Sequence, residues 1–550
     1  MKSYIFLFFV LCLLFSSCSG GSGSSNTTGN TGGTNTAGND TAGDSGTGTD
    51  TADTTDDVDN TSFDSVVNIT FSTGDSTVQT GTGTARTVTA DGITVATGIN
   101  VAKTTYGITI TSTYAAAVKY TLTGTLNGTL TVNSTNEYQL YLNDVTINGG
   151  TTGPALDLES SAKAFIVTAS NTTNTLTNQS TRTGLTGKAA VFGNGIMVFS
   201  KDSSGDGDGT LSVTGNYKHG IYSNDYIRIC SGIITVSVTA KNAIQSINGF
   251  IFDDGTLTIN GTGTTLDDES KGIKVEGVEG NTGEVNGYIV INGGNITINS
   301  ISKAITASWD IDEDASTLST TDDPTPYVEV NGGVINITTT TTPTDDLSPE
   351  GIEGKSGVTI SGGTLTINTT DDCINAGEYI IIKGGSIFCK SSNNDSIDSN
   401  GTLTIAGGLV VSIGSQAPEG PFDCDTNTFK VTGGTFVGIG GTTSGPTASE
   451  CTQNVVVLGS ISTGTMAVVS ESGTVVFAYT IPQSYSTMIL SSPDIITGTK
   501  YTVYKGVTAS GDNLFNGLYT DNLSCTNGSK TGTSFTVSSS VTQSGGTIFH

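Results

Sequence analysis

One short pattern, returning again and again, constrains this chain more than anything else in it. A few alternating apolar residues meet a Gly turn, and a second alternating run follows. It reads YIVINGGNITIN at 288–299, YVEVNGGVINIT at 327–338, GVTISGGTLTIN at 357–368 and YIIIKGGSIFCK at 379–390. It continues as TLTIAGGLVVSI at 402–413 and TFKVTGGTFVGI at 428–439, with earlier copies YIRICSGIITV at 226–236 and FIFDDGTLTIN at 250–260. Period-two alternation is the mark of a strand with one buried face, and Gly-Gly closes it as a turn. A third short run follows each pair, among them KHGIYSN (218–224), KGIKVEG (271–277), DCINAG (372–377) and DSIDSN (395–400). Gly363 to Gly385 is 22 residues and Gly385 to Gly408 is 23. That period is too short for a propeller blade, and it lacks the Leu-Asn rule of leucine-rich repeats. One such unit exposes its apolar face, so a core requires that units stack. The expected fold class is all-β: a right-handed parallel β-helix of coils about 22 residues long, with β caps.

Composition narrows the function. Gly occurs 74 times and only 13% of residues are charged, and no stretch after the N-terminal segment carries a helical rhythm. The formal charge of −29 argues against a nucleic-acid partner, which needs a basic face. At the N-terminus, Lys2 precedes an apolar run from Ile5 to Phe15, then Ser16, Ser17 and Cys18. The run is too short to span a membrane and reads as a secretory signal. Small residues before a Cys resemble the lipobox of bacterial lipoproteins, which implies cleavage before Cys18, its acylation, and a lipid membrane as partner at an outer membrane or cell surface. Residues 19–62, rich in Gly, Ser, Thr, Asn and Asp, are expected to form a disordered tether. The expected organisation is a signal at 1–18, this tether, an N-terminal β cap at 63–136, the repeat body at 137–451 and a C-terminal β cap at 452–550. The six cysteines beyond the signal match no metal spacing or disulfide framework, and Cys389 falls at an inward position.

The segments GNYKHGIYSNDYIRI (215–229) and KGIKVEG, the NGG-x-ITIN coils and SYSTMILSSPDIITGTKYTVY (484–504) carry a family resemblance. The chain resembles carbohydrate-binding β-helix lipoproteins similar in fold to pectate lyases, over about residues 137–505. The resemblance implies binding of cellulose and acidic polysaccharide, calcium as a bound ion, and no clear lyase activity. Where many relatives repeat Asp-Asp-Gly-Ile, this chain has Asn242, Lys271 and Lys303.

Two outward columns are candidates for chemistry. Tyr226, Phe250, Tyr288, Tyr327 and Tyr379 each open a first strand, and a row of exposed rings is a platform for a flat sugar chain. The same rings are equally suited to stacking on one another and covering an edge. Trp309, at the start of an acidic loop, is a further sugar-contact candidate. The second column is acidic: Glu350 and Glu353, Asp371 and Asp372, Asp395 and Asp398, Asp423 and Asp425. Carboxylates on neighbouring coils repel unless a cation lies between them, and calcium suits such a ladder. The alternative is a solvated acidic face. DSSGDGDG (202–209) resembles half a calcium loop, although a hairpin insertion fits it better. His219, the one internal histidine, reads as structural, and Lys355 is the one residue placed to act as a lyase base. Three functions remain open at this point: a polysaccharide-binding protein, a calcium-dependent uronan lyase, and a passive surface stalk or adhesin.

Overall fold

The computed structural model describes residues 54–550, apart from 152, 182–183, 185–186, 263–269, 279–286, 311–324, 345–346 and 550. The signal segment with Cys18 lies outside the described residues. Among those described there is no α-helix. Strands are short because β-branched alternation is cut by glycine every few residues, and they assemble in three parallel ladders.

In the first ladder Gly249–Phe252, Tyr288–Ile291, Tyr327–Val330, Gly357–Ile360, Tyr379–Ile382 and Thr402–Ile405 pair each with the next. In the second, Thr256–Gly261, Asn295–Ser300, Val334–Thr339, Thr364–Thr369, Ser386–Ser391 and Leu409–Ile413 do the same. The third runs through Ile273–Val278, Ile305–Asp310, Ile352–Gly354, Ile374–Ala376, Ile397–Ser399 and Phe422–Asp423. The first two belong to one 28-stranded sheet, and the third to a 14-stranded sheet. Register is fixed by the buried residues. Ile289, Val328, Val358, Ile380 and Leu403 stack in the first ladder, and Ile273, Ile305, Ile352, Ile374 and Ile397 in the third, all fully buried in one apolar cluster. Each contributes roughly 1.5–3 kcal/mol by leaving water, and a one-residue slip would turn the whole set outward. Cys389 is paired with Ile367 and is buried with it.

The second Gly of each turn is required by geometry. Gly333, Gly363, Gly385 and Gly408 have φ of 88°, 90°, 87° and 83°, a region that side chains with a Cβ avoid. Neighbouring rungs also press on it: a Cβ at Gly385 would lie 2.9 Å from the Gly362 carbonyl oxygen.

The ends differ from the middle. Parallel pairing reaches further upstream than the expected boundary at 136/137, since Val118–Asn127 already pairs in parallel with Tyr138–Asn148. Antiparallel strands before it, such as Ile93–Ala96, Ile99–Lys103 and Gly107–Ser112, close that end. At the other end the antiparallel strand Thr487–Ser491 lies on Thr435–Gly440 and takes up its free edge. A six-stranded antiparallel sheet, from Gly464–Ser470 to Ser524–Thr536, shares an apolar cluster with the outer face of the last rungs, where Val411, Val437, Val456 and Leu490 meet Met466, Val468 and Phe477.

One expectation needs correction. The last part of the tether, from residue 54 to 62, is docked on the body. Asp56 is 1% exposed and meets Lys163 at 2.5 Å and Arg228 at 3.3 Å, and Phe63 packs edge-on against Phe165. The cue was a single acid among seven, whose basic partners lie more than 100 residues away, so composition did not reveal it.

The turn argument yields a test. Gly385→Ala and Gly473→Ala share the conformational strain of positive φ, about 1–2 kcal/mol. Only Gly385 has a neighbouring rung within 4 Å; around Gly473 there is nothing. Thermal melts should show Gly385→Ala lowering the midpoint clearly more than Gly473→Ala. Equal shifts would mean the rungs do not press on the turn.

Candidate functional site

The outward column of the first ladder is settled by register. Gly249 pairs with Tyr288, Tyr288 with Tyr327, Tyr327 with Gly357, and Gly357 with Tyr379. Phe250 pairs instead with Ile289 and is fully buried, so its assignment to the aromatic column is wrong by one residue. Its repeat carries Asp253-Asp254-Gly255 where most others end the turn in Gly-Gly, and Gly249 takes the outward place. Tyr226 occupies the equivalent outward position, one residue before Ile227, but its hydroxyl donates to Asp56 at 2.7 Å and the docked N-terminal segment lies over it. Tyr288 and Tyr327 do form a platform: their rings stack with centroids 6.2 Å apart and planes 23° apart. Tyr288 lies over Gly249, where a Cβ would meet its ring at 2.4 Å. Tyr379 likewise covers Gly357, one rung beyond the stacked pair. Small residues on one rung thus make room for a ring on the next. The strand Ile305–Asp310 includes Trp309, but its side chain lies outside the described residues, as does the acidic loop that follows.

On the third ladder two outward columns flank the buried Ile. Glu350, Asp372 and Asp395 stand two residues before Ile352, Ile374 and Ile397, and Glu353, Asn375, Asp398 and Asp423 stand one residue after the buried position. Asp371 and Asp425 do not join them. The Asp371 carboxylate accepts from Asn394 Nδ2 at 2.7 Å, and Asp425 is an exposed turn residue with φ of 50°. Asn375 bridges two rungs, donating to Asp372 at 3.0 Å and to Asp398 at 3.3 Å. Asp372 Oδ1 is buried without a partner. Burial first, then neighbouring acids, pushes these carboxyls up: Asp398 to about 7 beside Asp423 and Asp425, and Asp372 well above the carboxylate range beside Glu350 and Asp398. Asp395 rises to about 9 through burial and its contact with Glu419. Among the described residues no group of three or more His, Cys, Asp or Glu side chains is arranged to hold a metal ion.

The same columns are basic further upstream, which the sequence registered only as a departure from its relatives. Lys303 sits in the Glu350 column and bonds Glu350 at 2.9 Å and Glu353 at 2.7 Å, with all three side chains buried. Burial works against the Glu353 anion, but Lys303 and Lys355 outweigh it and hold this carboxyl low, while burial and Glu353 hold Glu350 high. Lys355 lies 2.6 Å from Glu353, an ion pair that ties up the residue once placed as a lyase base. In the 202–209 loop, Asp202 accepts from Ser204 and Tyr141, and Lys201 pairs with Asp208 at 2.8 Å. These acids serve the loop's own bonding.

Comparisons with known proteins place the chain in a family. No curated protein matches the chain. Among solved structures, a polysaccharide lyase-like protein from C. thermocellum, in a gadolinium derivative, is 22% identical over 49% of this chain and 93% of its own, with a TM-score of 0.33. A family model described as carbohydrate-binding domain-containing protein matches residues 104–396, more than half of the chain, and the chain therefore belongs to that carbohydrate-binding domain-containing family.

Proposed function

We propose that this chain is a surface-held polysaccharide-binding protein, anchored through acylated Cys18, whose three ladders close into a right-handed parallel β-helix. Support for closure is the order of pairing: first, second and third strands recur in turn, and each pairs with its counterpart one unit on. A parallel crossover of this kind is right-handed in nearly all proteins. The observation that carries the function is the Tyr288–Tyr327 stack on the outside of the first ladder. Two stacked, near-parallel rings on adjacent strands form an aromatic ridge for a flat, neutral glucan such as cellulose, with phenols beside the sugar hydroxyls.

Calcium belongs to the proposal as a bridge across the acidic rungs. Asp372 and Asp398 would hold it, because they combine an unpartnered buried oxygen with carboxyls that resist ionising side by side. When bound it supplies the positive charge that lets the neighbouring acids ionise together, and it gives an acidic polymer a bridge to a protein of −29 charge.

Two measurements test these readings. The double change Tyr288→Ala with Tyr327→Ala removes two ring contacts of about 1 kcal/mol each, so cellulose binding in a depletion assay should weaken about tenfold or more. Undiminished binding would take the stacked pair out of the site. For the metal, the sign follows from proton uptake. Asp395 and Asp398 keep protons in the folded state that the unfolded chain loses near pH 4, so stability falls as pH rises from about 4 towards 9. In chelator the melting temperature should be lower at pH 9 than at pH 5, and calcium should raise it most at pH 9. Identical curves with calcium and with chelator would remove the ion from this account.

A further inference from the structure

Upstream of Lys303 the outer face of the third ladder carries lysines on consecutive rungs. The His219 amide donates to the Lys188 carbonyl at 3.1 Å, and the Lys241 amide to the Lys218 carbonyl at 3.1 Å. Lys188, Lys218 and Lys241 therefore stack one per rung, at a backbone spacing of about 4.8 Å. Beside them Phe192 pairs with Tyr222 in register, and their rings stack 5.8 Å apart with planes at 21°. Lys188 Nζ stands 5.0 Å above the Tyr222 ring and 3.5 Å from its hydroxyl. Lys218 Nζ lies 5.7 Å from the Tyr217 ring. The His219 ring is 5.3 Å from Tyr222, 4% exposed, and its Nδ1 has no hydrogen-bond partner. Burial, with Lys241, Lys218, Lys274 and Lys188 around it, holds this imidazole neutral, down to about 3. Lys274, one column over, is matched by Glu276, which also accepts from Gln245. Like charges on successive rungs repel, and in so acidic a protein their concentration on one strip is a local reversal of sign.

We propose that the strip of Lys188 and Lys218 beside the Phe192–Tyr222 stack is a second polysaccharide site, taking a carboxylate- or sulfate-bearing chain directly, without a bridging cation. The inference rests on the polysaccharide reading above and places acidic chains on a different part of the molecule. A uronan carries one carboxylate per ring, and Lys188 and Lys218 present an ammonium on each of two successive rungs, so a chain lying along the ladder meets both in turn. The half-buried Phe192 gives the sugar an apolar face to rest on. A thread touches only this strip, whereas a duplex or a charged membrane would also meet the acidic surroundings.

The test is titration of the full folded chain with oligogalacturonate in the presence of a chelator. The parent should bind, more weakly as salt is raised. Lys188→Ala combined with Lys218→Asn should weaken that binding at least tenfold; Asn is chosen because Lys218 has φ of 56°, which Asn tolerates. Lys188→Arg with Lys218 intact should retain it. Cellulose binding and the melting temperature, read on the same samples, should not change. If the double variant melts early, Lys188→Ala alone, at an exposed position, should still show a several-fold loss. Binding by the parent only when calcium is present would overturn the proposal. So would parent-like binding in the lysine variants, or equal affinity for a duplex oligonucleotide. Loss of cellulose binding by the parent would instead count against the function proposed above.

Discussion

Everything on this molecule's surface depends on one constraint, the in-register parallel stacking of strands at a fixed spacing of about 4.8 Å. The buried Ile and Val columns set that register, and the positive-φ glycines let the turns follow it. Once register is fixed, each outward position becomes a column, and its chemistry is repeated at the same interval. Rings in a column stack, as Tyr288 does on Tyr327. Acids in adjacent columns resist ionisation, as Asp372 and Asp398 do. Lysines in a column make a strip of positive charge. The fold is an amplifier of single-residue choices, and function follows from which residue type is repeated where.

Lys303 marks the boundary between two such choices on the third ladder. Just upstream the flanking positions carry Lys271 and Lys274, and downstream they are acidic. By bonding both Glu350 and Glu353 within a buried triad, Lys303 supplies the charge that a cation would otherwise bring. A buried pair of this kind gains little net stability over an apolar replacement, yet losing one partner strands a charge in the interior. The departure from Asp at this column is thus a local exchange of an acidic rung for an internal counter-ion.

Much of this was legible in the sequence, and the exceptions have physical causes. The Gly-Gly turn and the period-two runs exposed the strands and the inward Cys389, because both are local in the chain. The Tyr288–Tyr327 pair was legible for the same reason. Phe250 was misplaced because its turn has Asp254 where most others have the first glycine and its strand opens on Gly249, so the pattern could be read one residue out of phase; the pairing with Ile289 fixes it. Asp371 and Asp425 looked like ladder members by composition, while their side chains answer to Asn394 and to a turn. The docking of Asp56 on Lys163 and Arg228, and the alignment of Lys188 with Lys218 across an irregular loop, depend on contacts between distant parts of the chain. No local pattern announces them.

The central claim is that sugar lies on columns created by stacking, and a crystal structure with a bound cello-oligosaccharide addresses it most directly. A pyranose ring should rest on the Tyr288–Tyr327 pair, with the chain running along the ladder and crossing successive rungs. Density for the sugar elsewhere, with both rings bare, would contradict it.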